Sequence, residues 1–276
     1  MKVPTSRLPV LLGWVAFAFA LVTALAGCAA GGVGAGAITP SKDIVTASDE
    51  TDASKRARVR LELAEAYFGR GQMTTALDQV KLALAADPDN GPAFNLRGLI
   101  YANLGDEPLA EESFRRALQI NPRDTDTMQN YGYYMCRKKR YDEADAMFMK
   151  ALAIPNQNGM SRTLLAHGVC QAFAGKLEAA QATLHHAFEV DPKNPAVAVN
   201  LSEVLYRRGA FERARFYIRR VNAQPELVSA QTLWLAAKIE HGIGNPRGSQ
   251  DFGDRLVSRF HDSPEAAKFH RGSFND

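Results

Sequence analysis

The sequence predicts an all-α protein: a right-handed superhelix of about six helix-turn-helix repeats, finished by a short C-terminal helix. Three observations carry that expectation. Asp-Pro or Asn-Pro follows a helical run at a fixed interval, Pro88 and Pro122 lying 34 residues apart. Alanine returns at one place in every unit, as Ala76, Ala110, Ala144, Ala180 and Ala214. Glycine returns near the middle of the unit, as Gly71, Gly105, Gly175 and Gly209. Alanine favours helix, glycine ends one in the left-handed region, and proline cannot continue one, so each unit reads as helix, turn, helix, stop. A constant interval of this size marks stacked units, each too small to bury its own apolar face.

The units align without gaps over most of the chain. The first spans residues 57–90, the second 91–124 and the fourth 161–194; the third begins at Thr125 and the fifth at Pro195. Position 8 is small throughout: Ala64, Gly98, Gly132, Gly168 and Ser202. Position 20 is the recurrent alanine. Small residues at both places are expected where two antiparallel helices approach most closely. Position 24, with Val80, Phe114, Phe148, Leu184 and Ile218, is expected to fill the space between repeats. Asp, Asn or Ser beside each closing proline is suited to cap the next helix. Thirty-four residues is the period of the tetratricopeptide repeat, which these units resemble.

Two places depart from the pattern. The third repeat has Lys139 where the turn glycine is expected, and its closing segment ALAIPNQNGM carries two extra residues before Ser161, which predicts a longer connection. A sixth repeat is degraded. Gln231–Ala237 reads as its first helix, GIGNPRGS as its turn, and Asp251–Phe260 as its second helix. SPEAAKF, residues 263–269, then has a serine cap and proline at the first helical position, predicting a short terminal helix. A weak last repeat suits a capping unit.

The amino terminus is of another kind. MKVPTSRLP is short and basic, and VLLGWVAFAFALVTAL carries no charge. That order reads as a secretory signal; the alternative is an uncleaved anchor over Val10–Ala30, long enough to cross ~30 Å of hydrocarbon as a helix. Leu25-Ala26-Gly27-Cys28 resembles the lipobox of bacterial lipoproteins. The resemblance implies a thioether-linked diacylglycerol on Cys28, cleavage before it, and palmitate-type acylation of the new amino group. Several acyl chains hold a membrane firmly where one is marginal. Ala29 in place of Asp implies, by the same resemblance, the outer membrane. Residues 29–54 hold few large apolar side chains and read as a flexible tether with an r.m.s. span of ~25–30 Å. The expected organisation is therefore a signal peptide at 1–27, a lipidated tether at 28–54 and the repeat domain at 55–276.

The formal charge is only +3, and about +1 without Lys2 and Arg7. Near-neutrality disfavours nucleic acid, whose binding needs a dense basic field. No phosphate-binding, nucleophile-elbow, HExxH or CxxC pattern is present, so no enzyme activity, small-molecule substrate, metal or cofactor is expected. His185 and His186 are adjacent and point about 100° apart on a helix, which makes them poor joint ligands. The basic runs RRGAFERARFYIRR (207–220) and Arg137-Lys138-Lys139-Arg140 read as turn and second-helix surface, with an acidic or headgroup docking site as the alternative. Cys136 and Cys170 fall late on the first helices of neighbouring repeats, so a disulfide is geometrically plausible; two buried thiols are the alternative.

The resemblance to tetratricopeptide repeats implies an inner groove lined by first-helix positions 2, 5, 9 and 12. Here these include Asn95, Leu99, Gln129, Tyr133, Leu165, Val169, Val199, Glu203 and Tyr206. A concave wall rich in Leu, Val and Tyr suits an extended peptide or an amphipathic helix, unless the chain's own tail closes it. Three segments narrow the resemblance: MQNYGYYMCRKKRYDEADAMFMKALAIP (128–155), RTLLAHGVCQAFAGKLEAAQATLHHAF (162–188) and LWLAAKIEHGIGNPRGSQDFGDRLVSRFHDSPE (233–265). With the lipobox, they resemble the type IV pilus biogenesis and stability lipoproteins, the PilW/PilF family, which includes the secretin pilotin. That resemblance implies a non-enzymatic scaffold on the outer membrane, facing the periplasm, that engages the secretin subunit and aids its localisation, its assembly or pilus stability. The alternative is a general cell-envelope adaptor serving β-barrel assembly or recruiting peptidoglycan enzymes.

Overall fold

The computed structural model describes residues 51–155 and 159–274. The signal peptide, Cys28 and nearly all of the tether lie outside them. Among the described residues there are thirteen α-helices, a 3₁₀ turn at Pro225–Leu227 and no strand. Five regular hairpins pair α1 (Asp52–Gly69) with α2 (Met73–Ala86), α3 (Gly91–Leu104) with α4 (Glu107–Ile120), α5 (Thr125–Arg137) with α6 (Tyr141–Leu152), α7 (Met160–Phe173) with α8 (Leu177–Val190), and α9 (Pro195–Arg207) with α10 (Phe211–Asn222). A sixth pairs α11 (Ala230–Ile243) with α12 (Pro246–Phe260), and α13 (Pro264–His270) ends the array. Helix α1 begins at Asp52, three residues before the expected tether boundary, because the Thr51 hydroxyl accepts the Ser54 N–H and starts the helix there.

The ends of the helices are written locally. Asn90, Asp124 and Asn194, the last residues of their repeats, accept N–H groups from the first turn of the next helix. In the turn within each hairpin, Gly71, Gly105, Gly175, Gly209 and Gly244 have φ between 72° and 83°. The N–H of the following residue then returns to a carbonyl five residues back, as in Asp106 N–H to Tyr101 O and Lys176 N–H to Gln171 O. The third repeat makes the same turn with Lys139 at φ 61°, the one non-glycine residue with positive φ among the described residues. Between Leu152 and Met160 the connection is longer than the four-residue links that join α2 to α3, α4 to α5 and α8 to α9, and Gly159 at φ 86° replaces the usual side-chain cap.

Packing refines the expected pairing of small residues. Position 20 is fully buried in all five repeats, and Ser202 at position 8 donates to the Ala214 carbonyl at position 20 over 2.9 Å. The tighter constraint on position 8 comes from position 24 of the same repeat. A Cβ on Gly98 would lie 2.7 Å from the Phe114 ring, one on Gly132 3.2 Å from Phe148, and one on Gly168 2.6 Å from Leu184. Where position 24 is Val80 or Ile218, position 8 carries Ala64 or Ser202. The large residue is admitted because its partner has no side chain.

Each first helix also touches the first helices of neighbouring repeats, while each second helix packs on the first helix of the next repeat; second helices make no comparable contact with one another. First helices therefore form the inner wall and second helices the outer one. Cys136 on α5 and Cys170 on α7 are joined by a disulfide, with Cα atoms 5.8 Å apart, at the junction that carries the long connection.

The sixth repeat differs from expectation. Its first helix covers Ala230–Ile243, and its second begins at Pro246, not Asp251. Pro246 at the first helical position and Asn245, whose side chain accepts the Gly248 N–H, begin a helix where the sequence suggested a turn. At Gly253 on α12 the space a side chain would take is filled from α13: a Cβ there would lie 1.8 Å from the Phe269 ring. The basic run at 207–220 is turned toward neighbouring repeats. Arg215 and Arg219 pair with Glu240, which is 1% exposed, Arg208 reaches Glu178, and Arg220 lies over Phe188 and Phe216. In the other run Lys138 pairs with Glu107 and Arg140 with Glu111 and Glu143.

Candidate functional site

Since first helices alternate with outward-facing second helices, their residues at positions 2, 5, 6 and 9 share one inner surface. Several hollows open on it, two of which hold most of the expected residues. The first, about 370 Å³, is lined by Glu65 and Phe68 of α1, Asn95 and Leu99 of α3, Asn130 of α5 and Arg162 of α7, among others. The second, about 410 Å³, is lined by Gln129, Tyr133, Arg162, Leu165, Val169 and Asn200. Six of the nine expected groove residues thus line these two hollows. Tyr133 is 42% exposed and stands between the apolar patch at Leu99 and that at Leu165 and Val169.

The floor between the hollows is polar and braced. Asn130 donates to Asn95 Oδ1 over 3.2 Å, and Arg162 Nε to Gln129 Oε1 over 3.0 Å, while Arg162 also pairs with Asp126. Asp126 and Arg162 occupy position 2 of consecutive repeats. Asn130 and Asn200, at position 6, were not on the expected list; the signal for them is a polar residue beside the apolar positions of the same helix.

The other three expected residues are placed differently. Val199 packs against the core of repeats four to six, and neither it nor Glu203 lines the two hollows. Tyr206 is not open: its hydroxyl donates to the Phe274 carbonyl over 3.0 Å. Burial, followed by the Glu203 charge, raises its phenol above the usual tyrosine value, so it remains a donor. The groove is closed at this end because the chain turns back after α13 and lays its tail on the inner face.

The exposed surface offers an apolar strip, amide hydrogen-bonding groups and one arginine, arranged along three repeats. These are means of holding a polypeptide by side chains and main chain. No group of three or more His, Cys, Asp or Glu that could hold a metal occurs among the described residues, and no described helix is long and apolar enough to cross a membrane.

Fold and site together define a tetratricopeptide-repeat protein with hollows open on its inner face. Residues 91–124 and 174–233 match the tetratricopeptide repeat family. The chain is homologous to the type IV pilus assembly protein PilF of Pseudomonas aeruginosa, with 23% identity over 254 residues, covering 92% of this chain and 96% of that one. Its structure is similar to that of PilW, described as a widely conserved type IV pilus biogenesis factor, at a TM-score of 0.71 and 29% identity over 77% of this chain and 97% of that one. The fold also matches the solved structure of P. aeruginosa PilF, with a TM-score of 0.68 and 21% identity over 80% of this chain and all of the other.

Proposed function

We propose that this protein is a non-enzymatic scaffold of type IV pilus biogenesis that holds a secretin subunit on the inner face of its repeats. The observation that carries the reading is likeness over nearly the whole length to PilF, together with the structural likeness to PilW. In this reading Cys28 is the lipidated first residue of the mature chain, Ala29 directs it to the outer membrane, and residues 29–50 tether the repeats in the periplasm. The anchor confines the scaffold to the membrane its client must reach, raising the effective concentration of the pair. Leu99, Tyr133, Leu165 and Val169 supply the apolar contact, and the Asn95–Asn130 and Gln129–Arg162 braces keep the wall rigid.

Crosslinked pull-down from the native envelope tests this directly. The secretin subunit is the expected partner, and Tyr133→Ala with Leu165→Ala should weaken its capture by about 10–100-fold with circular dichroism unchanged. Undiminished capture moves the interface elsewhere. Deletion should abolish surface pili while outer-membrane protein levels stay intact; a general loss of those proteins would instead support an envelope adaptor. Cys28→Ser should leave a soluble or uncleaved form, and membrane attachment after correct cleavage would count against lipidation.

A further inference from the structure

At repeats five and six the inner face ends in a pocket that the chain fills itself. Tyr206 of α9 and Trp234, Lys238 and His241 along one face of α11 surround Phe274. The Phe274 ring lies flat on the His241 imidazole, with centroids 4.2 Å apart and planes within 9°, and 5.2 Å from Trp234. Lys238 Nζ sits 4.7 Å above the Tyr206 ring, whose hydroxyl donates to the Phe274 main-chain carbonyl. One wall therefore grips an aromatic ring and the other a backbone carbonyl. Neither contact depends on that phenylalanine belonging to this chain.

The segment that delivers Phe274 is attached in two unequal ways. Phe269 is locked into the space over Gly253 and fixes α13. Beyond α13 the chain turns at Gly272, with φ 66°, and a Cβ there would meet nothing within 4 Å. Phe274 is only partly buried, and apart from the local bond to Gly272 O its main chain is held by the Tyr206 hydroxyl alone. A locked helix, an uncrowded glycine and an aromatic residue seated by its ring on His241, Trp234 and Phe269 form a hinged plug.

We propose that the Tyr206–Trp234–Lys238–His241 pocket is a binding subsite for an aromatic residue of a partner polypeptide, and that Phe274 is the chain's own ligand, displaced by rotation about Gly272. This rests on the reading of the inner face as a docking surface and extends it to the end the tail now covers. The partner segment presents an aromatic side chain and a main-chain carbonyl free to accept. While the tail is seated, the apparent affinity for that segment is reduced by the fraction of open pockets.

The test uses the full chain in detergent with Trp14→Phe, which leaves Trp234 as the single tryptophan of the two in the sequence. The probe is the acetylated hexapeptide Arg-Gly-Ser-Phe-Asn-Asp, the sequence of residues 271–276, so the result does not depend on the secretin. In a Phe274→Ala chain the peptide should change Trp234 emission saturably, with an apparent affinity about tenfold or more above that for the chain with its own Phe274. The peptide with Ala for Phe should not bind. Absence of saturable binding, or equal affinity for the two chains, overturns the proposal. If Phe274→Ala unfolds the sixth repeat, Tyr206→Phe decides: acrylamide should quench Trp234 more readily with circular dichroism unchanged, and unaltered quenching overturns the proposal. Failure of secretin capture with retained peptide binding would remove the pilus reading and leave this subsite standing.

Discussion

Lys139→Gly should stabilise the protein although it removes a charged side chain and adds no contact. Lys139 holds φ 61° at the position where the other five hairpins place glycine. A side chain in that region costs roughly 1–2 kcal/mol through the clash of Cβ with the following carbonyl. Glycine is also freer in the unfolded chain, which returns about 0.4–1 kcal/mol of that gain. The Lys139 side chain is exposed and makes no ion pair among the described residues, so nothing else is lost. The net expectation is about 0.5–1 kcal/mol of stabilisation, or roughly 1–4 °C in Tm for a domain of this size. Urea denaturation by circular dichroism should show a higher midpoint and an unchanged slope. Gly105→Ala provides the reverse perturbation: its Cβ would meet nothing within 4 Å, so the cost is torsional and should be about 1 kcal/mol. A Lys139→Gly protein that is equally or less stable would refute the torsional account, because no contact in the structure offsets it.

Gly98→Ala should destabilise by about 1–3 kcal/mol, since its Cβ would stand 2.7 Å from a Phe114 ring that has no room to move; the double variant with Phe114→Leu should recover part of the loss in the same urea titration. Non-reducing peptide mapping should recover Cys136 and Cys170 as one linked peptide, and reduction should lower stability by about 3–4 kcal/mol for a loop with a sequence separation of 34; free thiols on both would sink the bridge. Burial pushes the Glu111 carboxyl up, but hydrogen bonds from Arg115 and Arg140 outweigh it and hold its pKa below the ordinary 4.5. Its stabilising contribution is therefore present above pH 4.5 and lost as the pH falls through the lowered folded-state value. The stability difference between the wild type and Glu111→Gln should be constant near neutrality and shrink in acid; a difference that grows on acidification would contradict the pairing.

Much of the fold was legible because the contacts of a repeat array lie at fixed sequence offsets. The partner of Ala110 lies in its own hairpin, and the same relation is written again at Ala144 and Ala180, so five copies expose what one would hide. The inner positions of repeats two to four could be named for the same reason, and Asn95, Leu99, Gln129, Tyr133, Leu165 and Val169 do line the hollows. The polar braces were less visible. Asn130 and Arg162 act across repeats through long side chains whose reach depends on how far one unit is rotated against the next.

The sixth repeat marks where sequence reasoning stopped. Pro246 reads equally well as a breaker and as a first helical residue, and only the Asn245 cap in place decides between them. Gly253 in a helix looks like a weakness until Phe269 is seen on it. The acidic Glu240 reads as surface until Arg215 and Arg219 arrive from α10.

By itself, then, the sequence determined the hairpin unit, its period and its turns, because each is set by neighbours at a repeated distance along the chain; that position 8 is bare beneath Phe114, Phe148 and Leu184 emerged only from the packing. Tertiary structure alone decided that the tail returns to the inner face, that Phe274 meets Tyr206, and that the open groove ends within repeat five. Those contacts join residues that have no second copy, so no pattern announces them, and they exist only once the stacked helices have fixed where the wall stands.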